Sequence, residues 1–162
     1  MLVAGSGETD LFDPQTGRWT VAAAMLSSRD DATATLLPSG KVLVAGGVDY
    51  AGHNTVLASA ELYDPHTNRW AATAGMRAAR YRQTATTLAD GRVLVAGGAE
   101  LKGGADSALA SAEIYDPLSA AWASAASMTE PRVLHTATRL RNGTVLVGGG
   151  FADSTDLFTP AH

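Results

Sequence analysis

Short apolar runs recur along this chain, each closed by small residues. They are LVAG from Leu2, VLVAGG from Val42, VLVAGG from Val93 and VLVGGG from Val145. A continuous apolar run of three or four residues suits a strand covered on both faces; a helix needs ten or more residues with a 3.6 period. No segment carries such a period. Before each run lies an alternating Thr/Ala/Leu stretch, as in Thr84 to Leu88, and after it an acid–apolar–aromatic stretch, as in Glu61-Leu62-Tyr63. The pattern predicts an all-β chain.

The runs are copies of one unit. LVAGG at Leu43 returns at Leu94, and LVGGG at Leu146, offsets of 51 and 52 residues. DLFDP from Asp10, ELYDP from Glu61, EIYDP from Glu113 and DLFTP from Asp156 run in phase with them. Trp19, Trp70 and Trp122 keep the same offsets, as do Met25, Met76 and Met128, and Arg29, Arg80 and Arg132. Self-similarity at a period near 50 marks a repeat architecture, in which each unit buries its apolar faces against its neighbours.

Each unit reads as four strands, a to d. Strand a is the Thr/Ala/Leu stretch. Ser39-Gly40, Asp90-Gly91 and Asn142-Gly143 follow it, and pairs of this kind predict a two-residue type I′ hairpin with positive φ at both positions. Strand b is Val-Leu-Val, ending in a glycine pair that permits positive φ and close backbone approach. Strand c stops at Asp-Pro, a turn signal. Gly17 and Asn68 suit the left-handed position in that turn, with Ala121 near it in the third copy. Strand d starts at the tryptophan and runs to the methionine.

Four strands per unit, with Gly-Gly, Tyr and Trp at constant offsets, resemble a blade of the kelch family of β-propellers. The residues that carry the resemblance are Gly46-Gly47, Gly97-Gly98 and Gly149-Gly150, then Tyr63 and Tyr115, then Trp19, Trp70 and Trp122, with the Met-x-x-x-Arg segment leading into the next unit. The compact LPSGKVLVAGG and LADGRVLVAGG forms resemble bacterial kelch proteins with galactose-oxidase-type propellers. The resemblance implies that the Gly pair, Tyr and Trp pack blade on blade and are not catalytic.

The expected fold is one partial propeller over residues 1–162. Two complete blades (31–76 and 82–128) lie between two incomplete ones (1–25 and 134–160). Kelch rings resemble closed assemblies of six or seven blades, so this is about half a ring. About 300 Å² of apolar face left wet at an open end forgoes roughly 7 kcal/mol. The ends are therefore expected to be covered by further blades, or by self-association. The start inside a strand-b motif favours a piece of a longer gene product.

Composition narrows the partners. Net charge is −4, which disfavours a nucleic-acid binder and binding to anionic lipid by charge. The short apolar runs predict no membrane insertion. With 0 Cys, thiolate chemistry is excluded. That exclusion extends to the copper-radical chemistry the galactose-oxidase resemblance implies, which uses a Tyr–Cys cross-link. No cofactor is expected. The N-terminus lacks the form of a secretory signal; an extracellular or cell-envelope location rests on the family resemblance alone.

Alternating strand direction puts the b–c loops and the d–a connections on one face. The loops Val48–Ala58 and Ala99–Ala110 are long, and long loops on a rigid scaffold are where binding concentrates. The candidate binding residues are Tyr50, His53 and Asn54 in the first loop and Lys102 and Asp106 in the second. Arg80 and Arg132 join them as members of a cationic ring with Arg29 that would take a carboxylate or sugar. The simpler reading pairs those arginines with Glu61 and Glu113. Asp49, Glu100 and Asp153 each follow a glycine pair, and a solvated rim accounts for them better than a cation site. The four His lack zinc-ligand spacing; His135 reads as a polar residue lining the channel. Gly5-Ser6-Gly7 lacks the third glycine and the helix of a dinucleotide loop.

These residues predict a non-catalytic binding scaffold presenting the b–c and d–a loops to a protein or carbohydrate partner. The alternative is the non-catalytic propeller part of a larger carbohydrate-active enzyme, galactose-oxidase-like or sugar-isomerase-like.

Overall fold

The computed structural model describes residues 2–5, 8–51 and 54–160. Among the described residues there are strands and no helix. The first sheet has three strands: Leu2–Gly5 (β1), Glu8–Asp13 (β2) and Arg18–Val21 (β3). The second contains Thr33–Leu36 (β4) and Val42–Ala45 (β5). After a short ladder, Val48–Asp49 (β6) with Thr55–Val56 (β7), it is completed by Ala60–Asp64 (β8) and Arg69–Thr73 (β9). The third repeats this plan with Thr84–Thr87 (β10) and Val93–Ala96 (β11). The ladder Ala99–Lys102 (β12) with Ala105–Ala108 (β13) follows, then Ala112–Asp116 (β14) and Ala121–Ala125 (β15). The fourth is three-stranded: His135–Arg139 (β16), Val145–Gly149 (β17) and Thr155–Phe158 (β18). All neighbours are antiparallel, in the order a-b-c-d. The fold is the expected propeller arc, with two complete blades between two three-stranded ones.

Adjacent blades meet through alternate side chains of strand b. Leu43 and Ala45 face the third blade and pack with Val93, Val95 and Tyr115. Leu94 and Ala96 point the other way, onto Val145 and Val147 of the fourth. Val44 faces back toward the first sheet with Tyr63 and Trp70. A strand two-sided in this way must be apolar at every position, which is why Val-Leu-Val does not alternate. Leu146 marks the last blade. Its equivalents Leu43 and Leu94 are 1% and 2% exposed, whereas Leu146 is 39% exposed because no blade lies beyond it among the described residues.

The glycine pair is set by contact as well as by φ. Gly97 has φ +62°, and a Cβ there would lie 2.6 Å from the Arg132 carbonyl and 2.7 Å from His135 Cε1. The pair is where the next blade's entering backbone crosses strand b.

Three local expectations are corrected. In the a–b turns Gly40, Gly91 and Gly143 have positive φ but Ser39, Asp90 and Asn142 do not. Gly40 donates to Leu37 O and Leu37 to Lys41 O, so these are three-residue loops, a type I turn followed by a left-handed glycine, rather than type I′ pairs. In the third c–d turn the left-handed residue is Ala120 (φ 52°), one place before Ala121. Strand d ends at Thr73 and Ala125, short of Met76 and Met128, which lie in the d–a linkers and pack between blades.

Candidate interaction face

The long b–c segments are hairpins, not open loops. Val48 pairs with Val56, and the second hairpin runs from Ala99↔Ala108 to Lys102↔Ala105. Each is fastened to the d–a linker beside it: Asp30 bridges to Val48, and Tyr81 to Ala99. Val48, Tyr81 and Ala99 form a small buried core of their own, with Val56 and Val133 against it. The pairing of two segments remote in sequence puts the hairpins and the linkers on one face.

Beneath that face the three linker arginines are consumed by structure. Arg29, Arg80 and Arg132 lie 3.0 Å from Glu61, Glu113 and Asp156, all with side chains at 10% exposure or less. Each also donates to a carbonyl of the Gly pair in the blade it leads into: Gly46 O, Gly97 O and Gly149 O. Ser59, Ser111 and Ser154 hydroxyls accept the remaining fork. The acids in turn accept linker amides: Leu26 and Ser27 on Glu61, Arg77 and Ala78 on Glu113, Thr129 on Asp156. Burial draws the Arg80 guanidinium below the ordinary arginine range, while Glu113 opposes that pull. At Asp156 burial works the other way, but the Thr129 amide and hydroxyl and Arg132 outweigh it and hold the carboxyl below its usual range. Arg80 and Arg132 are thus not a ligand-facing cationic ring. Both guanidiniums are fully buried and held by acceptors beneath the face, so they present no donor at the surface.

The surface of the face is built from other groups. Tyr50 is 54% exposed. Asn54 is exposed in the first hairpin's turn, with φ 52°. His53 lies outside the described residues. Lys102 and Asp106 are exposed on the second hairpin. Asp106 meets Tyr81: burial first, then this carboxylate facing the hydroxyl, pushes the Tyr81 phenol up to about 12, with Tyr50 adding to the effect. The Arg82 guanidinium stands over the Tyr81 ring at 5.2 Å and pairs with Asp31 at 2.9 Å. The fold therefore gathers Tyr50, Asp106, Tyr81, Arg82 and Asp31 into one neighbourhood. Tyr81 and Arg82 were not singled out from sequence. The available signal was positional: Asp31, Arg82 and Leu134 share one place in the repeat, and all three have positive φ, between 54° and 57°.

Toward the axis, Gln83 and His135 also share a repeat position. Gln83 Nε2 donates to Ala45 O at 2.9 Å, and His135 Nε2 lies 2.9 Å from Thr84 Oγ1 of the preceding blade. Burial, and then Arg132, lower the His135 pKa, with the Ala96 carbonyl pulling the other way. Among the described residues no three His, Asp or Glu side chains converge as a metal site would require.

A kelch motif matches residues 34–77, which span the second blade from β4 to just past Met76. Two F-box/kelch-repeat proteins of Arabidopsis thaliana are similar. One is 35% identical over 118 residues, 72% of this chain and 30% of that protein. The other is 42% identical over 59 residues, 36% of this chain and 15% of that protein. The chain belongs to the kelch-repeat family. Kelch-like protein 23 of Mus musculus is 36% identical over 62 residues, 38% of this chain and 11% of that protein. The kelch segment described here thus spans less than a third of the length of these curated relatives. They come from a plant and a mouse, and no carbohydrate-active protein is among these three.

Proposed function

We propose that this kelch chain is a non-catalytic protein-interaction scaffold, and that it binds its partner on the face formed by the b–c hairpins and d–a linkers. The observation that carries the reading is the division of labour at the linkers. The repeated Arg–carboxylate pairs are buried and make a rigid floor, while the residues above them differ from blade to blade. Tyr50 and Asn54 on one hairpin and Lys102 and Asp106 on the other present an aromatic ring and charges of both signs. A rigid base carrying variable exposed side chains is how a repeat scaffold acquires a specific partner. Exposed tyrosine contributes contact area at small conformational cost.

The test is site-specific photo-crosslinking. A photoreactive residue at Tyr50 or at Asp106 should capture the same protein, and one at Asn142, in an a–b turn on the opposite face, should not. Tyr50→Ala and Asp106→Lys should weaken that capture. Equal capture from both faces would overturn the assignment of the face. Saturable glycan binding with no protein capture would overturn the partner class in favour of a carbohydrate.

A further inference from the structure

The a–b turns carry one polar contact on three different side chains. Ser39, Asp90 and Asn142 share a place in the repeat, and each accepts the backbone N–H two residues on. Lys41 N donates to Ser39 Oγ at 3.4 Å, Arg92 N to Asp90 Oδ1 at 3.1 Å, and Thr144 N to Asn142 Oδ1 at 3.1 Å. All three types suit such a turn, but they differ in chemistry. The serine has no acyl carbon. Asp90 is a carboxylate paired with Arg92 Nε at 2.6 Å, and a carboxylate resists nucleophiles. Of the three, Asn142 alone offers an uncharged acyl carbon with a leaving group, the amide nitrogen Nδ2.

The setting of Asn142 favours attack on that carbon. The side chain is exposed, and its Oδ1 accepts a second hydrogen bond, from Thr144 Oγ1 at 2.8 Å. Two donors thus face the oxygen that gains negative charge when a nucleophile adds to Cγ, the arrangement of a small oxyanion hole. The nearest nucleophile is the next peptide nitrogen, Gly143 N, which closes a five-membered ring. It must give up its bond to Leu140 O (3.0 Å) to do so. Glycine has the backbone freedom for that movement: φ is +88°, and nothing lies within 4 Å of where a Cβ would be. The other asparagines lack this combination. Asn54 precedes the β-branched Thr55. Asn68 Oδ1 is tied to Ala23 N and Tyr63 OH, and Arg69 after it is paired with Asp64 in the ladder of strands c and d.

We propose that Asn142-Gly143 is a self-modifying site, whose turn promotes loss of the Asn142 amide as ammonia through a cyclic imide with Gly143 N. Gly143 N gives its proton to solvent hydroxide and bonds to Asn142 Cγ. The Cγ–Nδ2 bond breaks, and the nitrogen leaves as ammonia with a proton from water. Water adding at Cγ then restores the ordinary chain with aspartate at 142. Water adding at the main-chain carbonyl carbon instead leaves the chain running through Cγ, one methylene longer, as isoaspartate. The two products differ in effect. Aspartate copies Asp90, which holds the same turn in the third blade. Isoaspartate lengthens the segment closed by the Leu140 N–Thr144 O and Gly143 N–Leu140 O bonds, at 2.7 and 3.0 Å, and opens the turn. Either product adds a negative charge on the face opposite the hairpins.

The test is to incubate the 162-residue chain at neutral and mildly alkaline pH and to follow each asparagine by peptide mapping with mass spectrometry. Conversion is expected at Asn142, and not at Asn54 or Asn68, at a rate that rises with hydroxide and yields both aspartate and isoaspartate. Thr144→Val keeps the side-chain shape and removes the hydroxyl donor; it should slow conversion several-fold. Gly143→Ala should slow it at least tenfold. Circular dichroism verifies that both variants keep the β-structure. Survival of Asn142 in the folded chain, while a free peptide of residues 138–148 converts, would overturn the proposal. So would a Thr144→Val chain that converts at the parent's rate, because the turn would then contribute nothing beyond the bare dipeptide.

Discussion

Arg80 and Glu113 are 33 residues apart in sequence and 3.0 Å apart in space, and both side chains are buried. The pair joins the linker that enters the third blade to that blade's strand c. Removing one member of such a pair leaves a buried charge without its partner, and costs about 3–5 kcal/mol. Arg80→Met is therefore expected to lower stability by that amount in urea unfolding. The exposed pair Arg82–Asp31, with side chains 38% and 36% exposed, is the internal control. Arg82→Ala should cost no more than about 1 kcal/mol. Equal effects would show that the buried pair does not carry the blade junction.

Trp70 and Trp19 occupy the same repeat position but not the same environment. Trp70 is 8% exposed and Trp19 53%. Trp70→Ala should cost about 3–5 kcal/mol, as a large core truncation does. Trp19→Ala should cost under about 1.5 kcal/mol, since half of its surface is already in water. Thermal unfolding of both variants measures the difference.

Gly97 and Gly143 both have positive φ, but only Gly97 is hemmed in. A Cβ at Gly143 meets nothing within 4 Å, whereas at Gly97 it meets Arg132 O at 2.6 Å. Gly143→Ala carries the left-handed backbone cost alone, about 1–2 kcal/mol. Gly97→Ala adds a backbone clash and should exceed it clearly, by denaturant midpoint.

His135 makes the fold acid-sensitive in a defined window. Its folded pKa is lowered from 6.5 by burial and by Arg132. The unfolded chain thus binds a proton more readily, so the contribution is fully present above about pH 6.5 and lost as pH falls through the folded value. Asp156, also lowered from its ordinary 3.8, adds a second loss further into acid. His135→Gln, copying Gln83, should flatten the dependence of stability on pH between 7 and 5 and leave the loss below pH 4. An unchanged slope would remove His135 as its source.

The repeat and the all-β architecture were legible because they rest on local and periodic signals. A strand covered on both faces must be apolar at each position, and a crossing of backbones must have glycine, so Val-Leu-Val-Ala-Gly-Gly announces both. The pairing of the linker arginines with Glu61 and Glu113 was legible too, since both sides recur in register. Asp156 extends that pairing to the shorter last unit.

Other features were decided only when the blades came together. The turn dipeptide Asp90-Gly91 is compatible with either hairpin type; the pairing of Thr87 with Val93 and of Leu88 N with Arg92 O fixes the longer, three-residue loop. Val48 to Ala58 and Ala99 to Ala110 lack a strong strand pattern; they become hairpins because Asp30 and Tyr81, brought beside them by the linker, supply backbone partners. Tyr81 and Asp106 are 25 positions apart with no period between them, so their meeting could not be read along the chain. Whether Trp19, Leu146 or Phe158 is covered depends on the neighbouring blade, because burial is a property of the surface opposite a side chain rather than of the side chain itself.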